Sequence, residues 1–127
     1  MGDLTKNISR HEVKCKCGRC DYRTIDFELA NIIQGACDHF AAKFKTDRVV
    51  LGITSAHRCP IHNAKVGGAP DSMHLKGNAV DHYILGVAIE ELHKYYQDTL
   101  PENKFGLKLY LDKGFVHIDT GARLWRP

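Results

Sequence analysis

The sequence predicts an α+β domain that combines two main helices with a small antiparallel sheet of about four strands. Two stretches repeat apolar residues at helical spacing, and four short stretches are rich in β-branched and other apolar residues. Only Asp112-Lys113 separates the last two of these short stretches, and so short a connection indicates a hairpin. With 127 residues, 43% of them hydrophobic, the chain suits one domain over residues 1–127.

The first predicted helix begins at Asp26, a residue type that caps helix N-termini, and carries Glu28 where the helix dipole favours an anion. Its apolar positions recur every three or four residues and predict one buried face: Leu29, Ile33, Ala36, Phe40 and Phe44. The second predicted helix covers residues 87–100 and ends before Pro101. We expect Tyr95 and Tyr96 in this helix to pack rather than to bind substrate.

Strands are predicted over residues 49–54, 78–84, 106–111 and 114–119, the first of them largely buried. Residues 1–23 are polar and turn-rich, which predicts a loop-rich N-terminal segment. Residues 56–73 are predicted to be irregular, with a short helical turn that starts at Pro60 and ends near Gly67-Gly68.

Composition limits the function classes. The 18 Lys or Arg and 15 Asp or Glu give a net charge of +3, without a basic run that would indicate a nucleic-acid partner. No apolar run reaches the length of a membrane span, and the N-terminus shows no signal peptide. We therefore expect a monomer that is made in the cytoplasm and binds neither nucleic acid nor membrane.

Five cysteines are present. Three lie close together in Cys15-Lys16-Cys17-Gly18-Arg19-Cys20, whereas Cys37 and Cys59 stand alone. A zinc knuckle pairs two clusters, and the sequence has no second CxxC. We expect reduced cysteines that fix the N-terminal segment as small buried side chains, with one bridge to Cys59 as an alternative and a second metal site as the less favoured reading.

The segment from Ser72 to Asp81 carries the predicted chemistry. His74 offers an imidazole and Asp81 a carboxylate, both suited to Zn²⁺, and the turn at Gly77 would bring a loop residue and a strand residue together. Alternation along the last strand puts His117 and Asp119 on one face, opposite Val116 and Ile118. Three ligands, His74, Asp81 and His117, would leave a fourth position open, which is the catalytic zinc pattern.

These residues resemble the zinc D-Ala-D-Ala carboxypeptidase family, whose superfamily includes lysostaphin-type peptidases and the sonic hedgehog domain. The resemblance rests on Ser72-x-His74-x-x-Gly77-x-Ala79-x-Asp81, followed by Val116-His117-Ile118-Asp119. An upstream block, residues 53–63, is also similar and contains Arg58. The opening Cys15-Lys16-Cys17-Gly18 and the closing Arg123-Leu124-Trp125 resemble the small phage-associated branch. The fold implied is the hedgehog/DD-peptidase type.

The resemblance implies a zinc peptidase of bacterial cell-wall peptides, with His74, Asp81 and His117 as ligands and Arg58 as a catalytic and substrate-binding group. Ser72 is a candidate substrate-binding residue, or, with Asp71, part of the turn that presents His74. Many relatives carry an acidic general base three residues before the last histidine, where this chain has Gly114.

The general base is therefore expected to be Asp119, with Asp112 and His82 as alternatives. Asp119 is preferred because it shares the face of His117, although it could instead orient that ligand. We expect His82 to point to the opposite face of its strand.

The expected activity is D-Ala-D-Ala carboxypeptidase or endolysin-type endopeptidase cleavage of peptidoglycan stem peptides, at the cell wall and with a phage or prophage origin. The alternative is a non-catalytic, zinc-stabilised module that binds cell wall or protein, which the missing acid at Gly114 favours. His11, His39 and His93 are expected to be surface or core residues, and His62 to brace its loop.

Overall fold

The computed structural model of the protein describes residues 4–17, 20, 25–68, 72, 74, 77–101 and 105–120. Four strands form one antiparallel sheet in the order β1-β2-β4-β3. Their bounds are Leu51–Ser55 (β1), Ala79–Ile84 (β2), Gly106–Tyr110 (β3) and Phe115–Asp119 (β4). The predicted α+β class and the four strands are confirmed.

Three α-helices accompany the sheet, namely α1 (Phe27–Lys43), α2 (Pro60–Lys65) and α3 (Ile89–Thr99). The predicted cap of α1 is confirmed, because the Asp26 side chain accepts a hydrogen bond from the backbone N–H of Leu29. Pro60 occupies the first turn of α2, where its missing N–H costs nothing. In the predicted loop-rich segment, Arg10–Glu12 form one 3-10 turn.

The core lies between one face of the sheet and helices α1 and α3. Apolar side chains from both layers are fully buried there: Leu29, Ile33, Phe40, Val80, Ile84, Leu92, Tyr96, Leu107, Val116 and Ile118. Because side chains alternate along a strand, Asp81, His117 and Asp119 are left on the opposite face of the sheet. The hydrophobic core therefore packs against the face of the sheet opposite to these three polar side chains.

Three local expectations were wrong. The segment around β1 is not largely buried. Val50 is 61% exposed while Val49 and Leu51 on either side of it are buried, because side chains alternate between the two faces of an extended chain. Phe44 is exposed because it caps the C-terminus of α1 instead of continuing its buried face. The final hairpin connection has four residues, 111–114, and Gly114 closes it in the left-handed conformation (φ +78°) while its N–H donates to Tyr110 O.

None of the helices in the described part of the chain is long and apolar enough to cross a membrane.

Candidate metal centre

Two neighbouring strands place the first two predicted ligands opposite each other. Asp81 on β2 and His117 on β4 are register partners, so their side chains leave the same face of the sheet. Asp81 Oδ1 lies 2.7 Å from His117 Nδ1, and both residues are buried. This juxtaposition follows from strand register and does not depend on loop conformation.

His74 comes from the connection before β2 and completes a cluster of three. Its Nδ1 lies 2.6 Å from the carbonyl oxygen of Ala56, which can only accept, so Nδ1 carries the hydrogen. In the neutral ring, Nε2 is then a lone-pair acceptor, and it faces Asp81 Oδ2 at 3.2 Å. A lone pair and a carboxylate oxygen this close need a proton or a cation between them.

The cluster therefore fits a metal ion by its chemistry. One ligand atom from each of His74, Asp81 and His117 lies within 4.8 Å of the other two. Imidazole nitrogen and carboxylate oxygen are ligands that Zn²⁺ takes, and three protein ligands are the number found in catalytic zinc sites. The structure thus brings together the three residues that the sequence predicts as ligands.

Electrostatics inside the cluster favour a bound positive charge. Burial raises the pKa of Asp81, but the hydrogen bonds and positive charge that His117 and His74 supply when they are protonated outweigh it and hold this pKa well below its ordinary value. Burial lowers the pKa of His117, but contacts with Asp119 and Asp81 outweigh it, so this pKa is raised. Asp81 is thus ionised at neutral pH and available as a charged ligand.

Asp119 lies on the other side of the His117 ring from Asp81. Its Oδ2 is 2.8 Å from His117 Nε2, whereas Asp81 contacts Nδ1. The carboxylate occupies space above β3 that only glycine leaves free, since a Cβ added at Gly106 would lie 2.4 Å from Asp119 Oδ2. His117 is thus held between two carboxylates, one on each ring nitrogen.

Arg58 lies beside the cluster with its side chain 13% exposed. Its Nη2 is 3.5 Å from Asp81 Oδ2, its Nε donates to Ser55 Oγ at 3.0 Å, and its Nη1 donates to Asn63 Oδ1 at 3.2 Å. The backbone N–H of Arg58 also donates to the carbonyl of His74 at 2.8 Å. Each guanidinium nitrogen therefore has a protein partner, and one of these partners is the predicted ligand Asp81.

The remaining predicted site residues have more peripheral positions. Ser72 Oγ accepts the backbone N–H of His74 at 3.2 Å, the geometry of a turn that presents the ligand. Asp112 is exposed in the final hairpin turn. His82 faces the core, where its Nε2 is 2.7 Å from Tyr96 Oη and burial lowers its pKa to about 4. Asp71 and Trp125 lie outside the described residues.

His11, His39 and His93 lie where the sequence predicts, at the surface or in the core. His11 and His39 are exposed, and His93 is buried in the helical layer. His62 lies on α2, where its backbone N–H donates to Cys59 Sγ at 3.4 Å. His39 stacks on Tyr95 with ring centroids 4.6 Å apart, which accounts for that tyrosine as a packing residue.

Sequence reasoning missed two features near this centre. Tyr110 and Lys108 lie on β3 with the same side-chain direction as His117, because Lys108 pairs with His117 in the register. Burial raises the pKa of Tyr110, and the charges of Asp81 and Arg58 also act on it. Period-two alternation applied to residues 106–110 would have found both residues.

The second feature is the position of Cys59. It does not stand alone, because the fold brings its sulfur together with those of Cys15, Cys17 and Cys20, within 4.8 Å of one another. No spacing rule links Cys59 to a trio some forty residues away, so the sequence offered this contact only as the alternative of one bridge to Cys59. The expectation of small buried side chains holds for Cys15 and Cys59, while Cys17 and Cys20 are partly exposed.

Comparison of the sequence with known proteins shows the family to which the chain belongs. The curated relatives that match include the peptidoglycan L,D-endopeptidase MepK from Escherichia coli K12 and from Shigella flexneri, each 42% identical over 60 residues. The match covers 46% of this chain and only 31% of the relative's length. No solved structure matches significantly. The profile of the family described as Peptidase M15 matches residues 6–119, and the chain therefore belongs to the peptidase M15 family.

Proposed function

We propose that this chain is a zinc-dependent peptidase that hydrolyses peptide bonds in the stem peptides of peptidoglycan. The observation that carries the proposal is the convergence of His74 Nε2 and His117 Nδ1 on the Asp81 carboxylate. Membership of a peptidase family and partial similarity to a peptidoglycan endopeptidase support the reaction class and the substrate. The monomeric state and the phage-associated branch stay predictions.

Endopeptidase cleavage between an L- and a D-amino acid is the favoured reaction, ahead of D-Ala-D-Ala carboxypeptidase activity. The relatives that match are L,D-endopeptidases. In addition, Arg58 already uses its Nε, Nη1 and Nη2 in contacts with Ser55, Asn63 and Asp81. These contacts engage up to three of the five N–H donors of the guanidinium, which leaves fewer for the free carboxylate at the end of a carboxypeptidase substrate.

The protein groups have distinct roles in this proposal. His74, Asp81 and His117 hold the zinc ion, and Arg58 orients Asp81 and faces the substrate. A zinc ion bound there would polarise the scissile carbonyl and lower the pKa of a bound water. Asp119 accepts the Nε2–H of His117 and so directs the Nδ1 lone pair towards the metal, as in carboxylate–histidine–zinc arrangements.

The position of Asp119 therefore supports a positioning role more than the general-base role expected from the sequence. A base must reach the water that it deprotonates. The carboxylate of Asp119 is engaged with the ring nitrogen of His117 that faces away from Asp81.

A non-catalytic zinc-stabilised binding module is the second candidate, and Gly114 favours it. The residue that carries an acid in many relatives is here a glycine at φ +78°, a conformation that strains other side chains. A glutamate or aspartate at this position would be strained by the backbone conformation. The two candidates differ in a single observable, which is turnover.

The test is digestion of purified peptidoglycan by the zinc-loaded full chain, with released fragments identified by mass spectrometry. Fragments with a new terminus between an L- and a D-residue support the favoured reaction, and free D-alanine from a D-Ala-D-Ala stem supports the carboxypeptidase. His117→Ala is the inactive control and His39→Ala, an exposed histidine on α1, is the matched active control. Sedimentation with cell wall but no fragment from pH 6 to 9 would favour the binding module.

A further inference from the structure

The second cluster of metal-type side chains joins the N-terminal segment to the start of α2. Cys15, Cys17 and Cys20 come from the segment, and Cys59 is the N-cap residue of α2. The sulfur atoms of Cys15 and Cys59 are 3.8 Å apart, those of Cys17 and Cys59 are 3.9 Å apart, and those of Cys17 and Cys20 are 3.3 Å apart. All four sulfurs lie within 4.8 Å of one another.

These separations fit one shared ion. In a tetrahedral zinc site with Zn–S distances of about 2.3 Å, neighbouring sulfurs are about 3.8 Å apart. Two of the three sulfur pairs given above lie within 0.1 Å of that value, at 3.8 and 3.9 Å. A disulfide needs sulfurs about 2.05 Å apart, and the three sulfur separations given above, 3.3 to 3.9 Å, are all far longer than that. The cluster is thus arranged as four ligands around a centre, not as two bonded pairs.

Backbone amides also prepare the cluster for negative charge. The N–H of Cys59 donates to Cys15 Sγ and the N–H of His62 donates to Cys59 Sγ, each at 3.4 Å. Hydrogen bonds to a thiolate favour the ionised form that binds metals. Arg58 is close enough to Cys15 for their charges to interact, which adds a nearby positive charge. Four thiolates would otherwise repel one another at these distances.

We propose that Cys15, Cys17, Cys20 and Cys59 bind a second zinc ion in a closed, structural tetrathiolate site, separate from the His74–Asp81–His117 centre. Each thiol releases its proton to solvent as the metal binds. Soft thiolate ligands in a tetrahedral S₄ set select zinc or iron, and the absence of any redox role for the proposed peptidase favours zinc. A four-ligand site leaves no position for water, so this zinc stabilises structure.

This site anchors the loop that carries parts of the catalytic centre. Cys59 follows Arg58 directly, and the preceding N–H of His57 donates to the carbonyl of Val13 at 3.1 Å. The same loop contacts His74 twice, through Ala56 O on the imidazole and through the Arg58 N–H on the His74 carbonyl. Metal binding at the four sulfurs therefore fixes the backbone that positions Arg58 and His74.

Metal content of the purified full chain tests the proposal. We expect about two zinc ions per wild-type chain by elemental analysis, and about one in the double variant His74→Ala/His117→Ala. The same double variant with Cys17→Ser added should contain none, whereas adding Cys37→Ala instead should leave one, because Cys37 is a buried cysteine of α1 outside the cluster. The zinc content of the histidine double variant depends neither on peptidase activity nor on zinc binding at the His74–Asp81–His117 centre.

A second measurement covers the case in which the Cys17→Ser protein does not fold. In the folded histidine variant, the X-ray absorption fine structure of the retained zinc should show four sulfur neighbours at about 2.3 Å. A mercurial thiol reagent should release this zinc as the four thiols react. A metal-free histidine variant, nitrogen or oxygen neighbours around its zinc, or a non-reduced mass that indicates disulfides would each overturn the proposal. Iron in place of zinc would overturn the assignment of the ion.

Discussion

The two clusters of metal-type residues differ in how the chain assembles them. The His74–Asp81–His117 cluster takes two of its three members from paired strands, and register alone places them face to face. The four-cysteine cluster takes three members from a short N-terminal segment and the fourth from the start of α2. A cluster built on strands follows from alternation and pairing, whereas a cluster built on loops depends on how distant segments dock.

The clusters also differ in what surrounds the ligand atoms. The first contains two imidazoles, one ligand carboxylate and a second carboxylate, Asp119, behind one imidazole. The second contains only sulfur, with two backbone amides directed at it. Three ligands of mixed type suit a zinc site with an open position, and four sulfurs suit a closed site. Loss of the first should affect chemistry, and loss of the second should affect stability.

Removal of one histidine ligand should have the largest effect. We expect His74→Ala and His117→Ala each to reduce kcat/KM by about 10³-fold or more, because several kcal/mol of transition-state stabilisation depend on the metal. Zinc content should fall by about one ion per chain, and far-ultraviolet circular dichroism should stay unchanged. Retention of full zinc content by both variants would show that these residues are not the ligands.

Disruption of the sulfur cluster should act mainly on stability. For a zinc ion present at about 100 times its Kd, loss of binding costs about 2.7 kcal/mol. In a chain of 127 residues this corresponds to a fall in Tm of roughly 10 °C. We expect Cys20→Ser to show this fall, with kcat changed much less at low temperature. An unchanged Tm in calorimetry, with Cys37→Ala as the matched control, would contradict the expectation.

Arg58 links the two clusters, and its replacement should affect the reaction more than the fold. Arg58→Lys keeps the charge but loses the planar fork that contacts Ser55, Asn63 and Asp81 together. Hydrogen bonds of charged groups contribute about 1.5–3 kcal/mol, so activity should fall by roughly 10–100-fold. If the steady-state activity of Arg58→Lys is within a factor of about 3 of wild type and the Tm is unchanged, Arg58 does not contribute to the reaction.

Asp119→Asn separates a positioning role from a general base. If Asp119 orients His117, zinc affinity should fall by roughly 10–100-fold and excess zinc should restore turnover. If it is the base, zinc should stay bound while kcat falls by about 10²–10⁴-fold at every zinc concentration. We expect the first outcome in a zinc titration of activity, with Asp112→Asn, the alternative candidate base in the exposed hairpin turn, measured in parallel.

Gly106→Ala gives an independent check on the same role. A Cβ at this position would lie 2.4 Å from Asp119 Oδ2, so the carboxylate must move away from His117. This variant should therefore reproduce the weaker zinc binding of Asp119→Asn while the acid itself is retained. Normal zinc affinity in Gly106→Ala would argue that the contact between Asp119 and His117 is not needed.

The smallest effect concerns Cys37, the cysteine outside both clusters. Burial raises the pKa of the Cys37 thiol to about 12, against 9.0 in an exposed thiol. The folded state therefore keeps a proton that the unfolded state loses, so the stability due to this group is full below pH 9 and is lost as pH rises towards 12. At pH 10 the loss is about 1.4 kcal/mol.

Urea unfolding at pH 7 and pH 10 measures this effect. The drop in unfolding free energy between the two pH values should be smaller in Cys37→Ala than in wild type by about 1.4 kcal/mol. An equal drop in both proteins would mean that the thiol ionises equally in the folded and unfolded states.

Much of the fold and of the first cluster was determined by local sequence. Apolar spacing predicted α1 and α3, Asp26 predicted the cap, and alternation put Val116 and Ile118 in the core and His117 on the polar face. These features depend on interactions between residues within one element or on the geometry of a single strand. Sequence therefore also determined which residue types could bind a metal and, for His117 and Asp119, that they share a face.

Tertiary structure decided the features that depend on contacts between distant segments. Packing of only one face of the segment before and at the start of β1 left Val50 exposed, although the apolar sequence there predicts a largely buried strand. The direction of the His117 ring placed Asp119 behind the ligand instead of beside the open side of the cluster. Docking of the N-terminal segment on α2 brought Cys59 to Cys15, Cys17 and Cys20, because proximity across some forty residues is set by packing and leaves no periodic trace in the sequence.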